Sequence, residues 1–186
     1  GLDWTEIAGD AANINISGFN NDAGYLTAVP EFLEEKYIYN SNDSNGVYMP
    51  MVKGGMYTST SGSVNGAIKV KLPAYKSNMM FTIYVDVFEY TTGETVTLRV
   101  SGYAYGDAAA SWHNCSVVNI ADNTDRNYTV RFYSDTTNSE QYFTIGEVNS
   151  VWSYPQVNLR DFWGGYNTNE TEAKGIWDVS LVTSFS

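Results

Sequence analysis

Polar and apolar residues alternate over long stretches of this chain, and the period is two rather than 3.6. The run Gly66-Ala-Ile-Lys-Val-Lys-Leu-Pro73 sets Ile68, Val70 and Leu72 on one side and Lys69 and Lys71 on the other. That is the signature of a strand with one buried face. Residues 80–90 place Phe81, Ile83, Val85 and Val87 together; the opposite set, Thr82, Tyr84, Asp86 and Phe88, predicts a second face that is partly covered. Thr91-Thr-Gly-Glu94 reads as a hairpin turn. Residues 95–103 then return with Val96, Leu98 and Val100 inward and Arg99 outward, the firmest pairing in the sequence.

Beyond a small-residue loop at 104–111, strands are predicted over 112–120, around Tyr128, Val130 and Phe132, over 141–148, within 151–163 and over 175–185. Asp122-Asn-Thr-Asp125 and Thr136-Thr-Asn-Ser139 are turns, and a loop follows Gly164-Gly165. Pro155 marks an edge or a strand start. About seven or eight strands at this spacing predict an all-β fold, an antiparallel β-sandwich of jelly-roll type. No period of about 20–50 residues recurs, which excludes a solenoid or propeller.

Ahead of Gly54 the pattern is different. Residues 1–15 read as extended chain. Residues 16–28 carry two glycines, an Asn20-Asn-Asp22 cluster and the spaced apolar residues Phe19, Tyr25 and Leu26, with neither a helical stripe nor sustained alternation. Residues 30–39 fit a short helix opened by Pro30, or a strand over 37–39. A piece of about 50 residues does not fold alone. Its apolar residues need a partner, either the downstream domain or the same segment of sister chains. The expected organisation is a trimerising, extended segment over 1–53 and a β-sandwich head over 54–186. The opening Gly1 is expected of a piece cut from a longer chain.

Composition narrows the function. At 186 residues the chain fits one domain with an appendage. Its net charge of −11 opposes nucleic acid and anionic membrane surfaces. No run reaches the ~18 apolar residues of a membrane span, and no charged-then-apolar leader opens the sequence. Only 17% of residues are charged, while Tyr numbers 15 and Trp 5. Such side chains join a flat apolar face to a polar tip, which suits interfaces and sugar rings; β proteins also favour them for packing.

Catalytic chemistry finds little support. His113 and Cys115 are the only residues of their kinds, so no His/Cys metal cluster forms and no disulfide closes within the chain. No G-x-S-x-G elbow accompanies His113. The carboxylate pairs Asp86 with Glu89 and Asp122 with Asp125 are the remaining candidates for glycoside hydrolysis. The first pair lies on opposite faces of its strand, and the second falls in a turn. Loop oxygens at 40–45 and 122–125 are of the type calcium takes, without EF-hand spacing. No cofactor is expected. The better candidates are loop aromatics for ligand binding: Tyr103, Tyr105 and Trp112 around the 104–111 loop, and Trp163 and Tyr166 around Gly164-Gly165.

The stretch 16–28 closely resembles a phrase of bacteriophage tail-fibre and tail-spike proteins, Ile-Ser-x-Phe-x-Asn-Asp-Ala-Gly-Tyr-Leu-Thr. The likeness continues through 66–73, 78–90, Val100-Ser-Gly-Tyr-Ala-Tyr105, Ser111-Trp-His-Asn114 and Tyr128-Thr-Val-Arg-Phe132 to residues 145–162 and 177–185. These resemble the C-terminal head of certain tail fibres. The resemblance implies a virion adhesin: a homotrimeric stem, with Phe19, Tyr25 and Leu26 as trimer contacts, leading to a β-rich tip. Such a tip meets a host-cell surface receptor, with a glycan as the expected ligand. It implies no catalytic residues. Two other readings stand beside it, a carbohydrate-binding module of a bacterial extracellular enzyme and a purely structural trimerisation segment.

Overall fold

The computed structural model describes residues 38–39, 46–90, 94–122, 126, 128–165 and 173–185. The chain divides into two compact units, Gly1–Glu35 and Lys36–Ser186. The first lies outside the described residues, and with it Phe19, Tyr25, Leu26 and the expected stem. The helix or strand expected over 30–39 is described only at Ile38–Tyr39, which is strand.

The regular elements among the described residues are strands: β1 Ile38–Tyr39, β2 Val47–Thr58, β3 Val64–Asn65, β4 Ala67–Lys71, β5 Met79–Glu89, β6 Glu94–Ala104, β7 Trp112–Asp122, β8 Val130–Asp135, β9 Glu140–Ile145, β10 Val151–Trp152, β11 Gln156–Gly165 and β12 Asp178–Val182. They form a six-stranded sheet in the order β1-β2-β11-β5-β6-β7, a four-stranded sheet β12-β4-β9-β8, and the short pair β10-β3. Every pairing is antiparallel. The all-β expectation holds.

The alternation read from sequence decides the core. Ile68, Val70 and Leu72 are buried, as are Phe81, Ile83, Val85 and Val87, and then Val96, Leu98 and Val100. Buried residues of both larger sheets join one hydrophobic cluster. Each such side chain contributes roughly 1.5–3 kcal/mol by leaving water. β5 and β6 pair without a break from Met79↔Ala104 to Glu89↔Glu94, as the hairpin predicted. Trp152 is fully buried and donates its indole N–H to the Gly66 carbonyl at 2.7 Å.

Three features differ from the sequence reading. The long β structure expected from Gly54 already runs from Val47, so residues 47–53 belong to the sheet. Pro50 and Gly54-Gly55 had hidden this strand. β1 pairs only with Val47 and Tyr48, which leaves one side of β2 open for Pro50. Between Met56↔Asn158 and Met51↔Arg160, five steps of β2 oppose two of β11. Gly54 makes this excursion with φ +78, and a side-chain carbon there would collide with the Trp177 carbonyl oxygen. Second, the last strand stops at Val182. Phe185 lies beyond it, stacked 5.3 Å from Tyr133, which itself stacks on Tyr142 at 5.1 Å. Third, Phe88 is 39% exposed, so the far end of β5 is less covered than expected.

Candidate functional site

The open face of the six-stranded sheet is shaped by a single irregularity in β11. Val157 and Leu159 are buried, and strict alternation would bury 161 and 163 next. Instead Phe162 is buried and Trp163 is 66% exposed. The register against β5 accounts for the change. Arg160 pairs Tyr84 but Trp163 pairs Thr82, so three steps of β11 oppose two of β5. This is a β-bulge, and it inverts the facing of every residue after it. Asp161 occupies the left-handed region at φ 50, which Asp tolerates better than most residues.

Polar contacts pin the bulge from the open face. Tyr48 donates its hydroxyl to Asp161 Oδ1 at 2.5 Å, and Arg160 Nη1 donates to Asp161 Oδ2 at 2.6 Å. Arg160 also grips Asp86 through Nε at 2.5 Å and Nη2 at 3.2 Å. Its guanidinium lies 4.9 Å over the Tyr84 ring, and Thr97 donates to Asp86 at 2.7 Å. The Tyr48 hydrogen bond, then that of Arg160, holds the Asp161 carboxyl below the usual carboxylate range. The same bond raises the Tyr48 phenol.

Trp163 thereby stands beside a shallow trough of about 280 Å³, lined by Met80, Phe81, Thr82, Ser101, Gly102, Tyr103, Asn114, Trp163 and Gly165. Among the described residues no charged side chain lines it. Its floor is firm: Phe81 is packed against Phe162 at 6.2 Å, Trp177 at 6.2 Å and Trp112 at 6.1 Å. Thr82 and Ser101 share a hydrogen bond of 2.9 Å across it. An aromatic wall, hydroxyls and an amide in such a depression are of the chemical kind that suits a neutral polar ring.

At one end of the trough Tyr103, Tyr105 and His113 cluster, with ring centroids 5.4 Å apart for Tyr103–Tyr105 and for Tyr105–His113. The 104–111 loop is held rather than loose. Asp107 accepts the Ser111 amide at 3.0 Å and its hydroxyl at 2.8 Å, which draws its carboxyl below the usual range. Buried Gln141 donates to the Ala110 carbonyl at 3.1 Å, and Asn78 accepts the Gly106 amide at 2.9 Å.

The expected ligand-binding residues therefore separate. Tyr103 and Trp163 line one trough, and Tyr105 lies beside it. Trp112 belongs elsewhere: its ring packs 5.1 Å from Phe132, fills the space beneath Gly102, and donates its N–H to the Tyr133 carbonyl at 2.8 Å. It serves packing at the buried face. Tyr166 lies outside the described residues. Met80, Asn114 and Asp161 had no motif to single them out. An acidic residue beside an Arg in a strand gives no sign that it is the bulge.

The carboxylates considered for catalysis are dispersed. Asp86 lies on the open face with Arg160, whereas Glu89 is 4% exposed on the buried face. Arg126 bridges Glu89, at 2.9 Å, and Glu94, at 2.8 Å. Burial raises the Glu89 carboxyl despite Arg126. Asp122 accepts the Asn119 amide at 2.8 Å; Asp125 and the 40–45 loop lie outside the described residues. Among the described residues no group of three or more His, Cys, Asp or Glu is placed to hold a metal ion. Cys115 is exposed on β7, with its Sγ tucked beside Gly102, and burial of that atom pushes the thiol up. No helix among the described residues is long and apolar enough to cross a membrane. Comparison of the chain with protein-family models, with curated proteins and with solved structures gave no match.

Proposed function

We propose that this chain is the receptor-binding tip of a bacteriophage tail fibre, a non-enzymatic homotrimer that attaches the virion to a glycan on the host surface. The observation that carries glycan binding is Trp163, 66% exposed beside an uncharged trough. A large aromatic face turned to solvent by a pinned bulge is costly to leave bare, and it matches the apolar face of a pyranose. The phage assignment rests on the resemblance of residues 16–28 and 66–186 to tail-fibre sequences. In this reading the two larger sheets pack as a sandwich, and residues 1–35 belong to the trimeric stem.

Edge strand β7 supports assembly. It ends the six-stranded sheet among the described residues, and only its terminal Asp122 is charged. Val117 and Ile120 are 39% and 49% exposed on it. A long edge without Lys or Pro is a ready surface for another chain. Three weak sites on one trimer would gain strength through multivalency.

Binding of surface polysaccharide from bacterial strains, followed by tryptophan fluorescence, tests the trough. Trp163→Ala weakens binding at least tenfold if the trough is the site; equal binding by the variant overturns it. The same trough also fits a carbohydrate-binding module. Light-scattering mass separates the two: a trimer supports the fibre tip, and a glycan-binding monomer supports the module.

A further inference from the structure

A second cleft lies at the other end of the same sheet. Ser59, Thr60, Tyr90, Tyr154 and Gln156 line a volume of about 500 Å³, within the roughly 300–1,000 Å³ of small-molecule sites. Tyr90 follows β5, and Gln156 opens β11. Tyr90 follows Met80 by ten steps along β5 and its end, so at about 3.3 Å per residue the cleft is about 33 Å from the trough.

Its construction is not that of casual surface. Tyr90 is 68% exposed and Tyr154 41%. Their rings meet edge to face, with centroids 5.6 Å apart and an interplanar angle of 86°, so two aromatic faces turn in different directions around one opening. The backbone beneath is fastened: Tyr154 donates its amide to the Ser61 carbonyl at 2.8 Å, Ser59 to Pro155 at 3.0 Å, and Tyr90 to Ser153 at 3.1 Å. Tyr154 is held at φ 51, a conformation glycine adopts freely and a Tyr does not. Such strain persists where the side chain it presents has a use. The Tyr90 and Tyr154 hydroxyls, Thr60 Oγ1 and the Gln156 amide hold no hydrogen bond to other described residues. Among the described residues no charged group lines the cleft.

We infer that the Tyr90–Tyr154 cleft is a second binding site, for a neutral saccharide that lays one ring face on a tyrosine and hydrogen-bonds to Thr60, Gln156 and the phenols. A carboxylate or sulfate on the sugar finds no cation in the cleft, and the net charge of −11 repels it. The site stands independently of the trough. With both occupied, one head engages two points of a glycan surface, which raises avidity without further contacts.

Saturation-transfer difference NMR on the full 186-residue chain tests this, with the methyl glycosides of glucose, galactose, mannose and N-acetylglucosamine as probes and glucuronic acid as the anionic comparison. Trp163→Ala is expected to keep a saccharide signal, and adding Tyr154→Asn or Tyr90→Ala to that variant weakens it about tenfold. Asn tolerates the backbone at 154, and Tyr90→Ala leaves that turn untouched, so loss of fold in one variant does not hide the answer. If Trp163→Ala abolishes all binding while both tyrosine variants bind like the parent, the cleft is no site and the trough stands alone. If either tyrosine change alone, with Trp163 intact, removes all binding while Trp163→Ala keeps it, the cleft stands and the trough falls. No binding of any neutral probe by the parent chain overturns both. Tighter binding of glucuronic acid than of glucose overturns the inferred ligand class.

Discussion

Replacing Asp161 isolates what the bulge contributes, because one residue there combines an unusual backbone conformation with two side-chain bonds. Asp161→Ala removes the acceptors of Tyr48 and Arg160. The Arg160 and Asp161 side chains are 35% and 34% exposed, so solvent screening keeps each bond to about 0.5–1 kcal/mol. Alanine at φ 50 adds about 1 kcal/mol of strain. The sum is about 2–3 kcal/mol. Asp161→Gly loses the same bonds but relieves strain by about 1 kcal/mol, for a net cost of about 0–1 kcal/mol. Asp161→Asn keeps an acceptor for Tyr48 and tolerance of the conformation, so its expected cost is about 1 kcal/mol. Urea unfolding should therefore rank the variants Gly, Asn, Ala in increasing damage. Acrylamide quenching supplies the second readout. Trp152 and Trp177 are 0% and 1% exposed while Trp163 is 66% exposed, so Trp163 carries most of the quenching from these three. If Asp161→Ala straightens the strand, Trp163 turns toward the buried face and quenching falls. Glycine proving as damaging as alanine would refute the role assigned to backbone conformation. Unchanged quenching in a straightened strand would refute the facing argument.

Four further outcomes follow from the geometry. Glu89→Gln should change stability differently on either side of the carboxylate range. The Glu89 pKa is raised by burial, so its contribution is fully present below its unfolded value and is lost as pH rises through the folded one. The parent should gain on the glutamine variant between about pH 7 and pH 4, and a gap that moves the other way in urea titrations contradicts this. Glu140 runs oppositely: the Lys69 hydrogen bond at 2.5 Å lowers its pKa, and its contribution is present above the unfolded value and lost as pH falls through the folded one. Glu140→Gln should therefore cost stability at neutral pH and almost none in acid. Gly54→Ala should cost about 3 kcal/mol or prevent folding, whereas Gly165→Ala, with open space around it, should be nearly neutral by thermal melting. If the chain assembles as proposed, Val117→Lys with Ile120→Lys on β7 should shift the light-scattering mass toward monomer while the far-UV circular dichroism stays β; an unchanged oligomer removes β7 from the assembly surface.

Local sequence carried much of this fold because a strand with one buried face writes its own facing. Ile68–Val70–Leu72, Phe81 to Val87 and Val96 to Val100 needed no partner to be identified, since the side-chain period is two and one face must leave water. β5 and β6, near neighbours in sequence, then pair without a break. β2 was hidden until its neighbours were known, because Pro50 and Gly54 break the pattern and are tolerated only through an open side and the approach of Trp177.

Tertiary structure decided the site. Alternation alone would have buried Trp163 with Leu159. The extra residue at Asp161, held by the adjacent Arg160 and by Tyr48 from far away in sequence, turns it outward. Trp112 and Trp163 read alike in the sequence, as aromatics beside glycine- or alanine-rich loops. One now fills the space beneath Gly102 and the other stands in solvent. Composition alone made this an aromatic-rich, acidic β protein. Which of its rings face outward depended on strand partners, because a bulge is a mismatch between two strands and has no signature within either one.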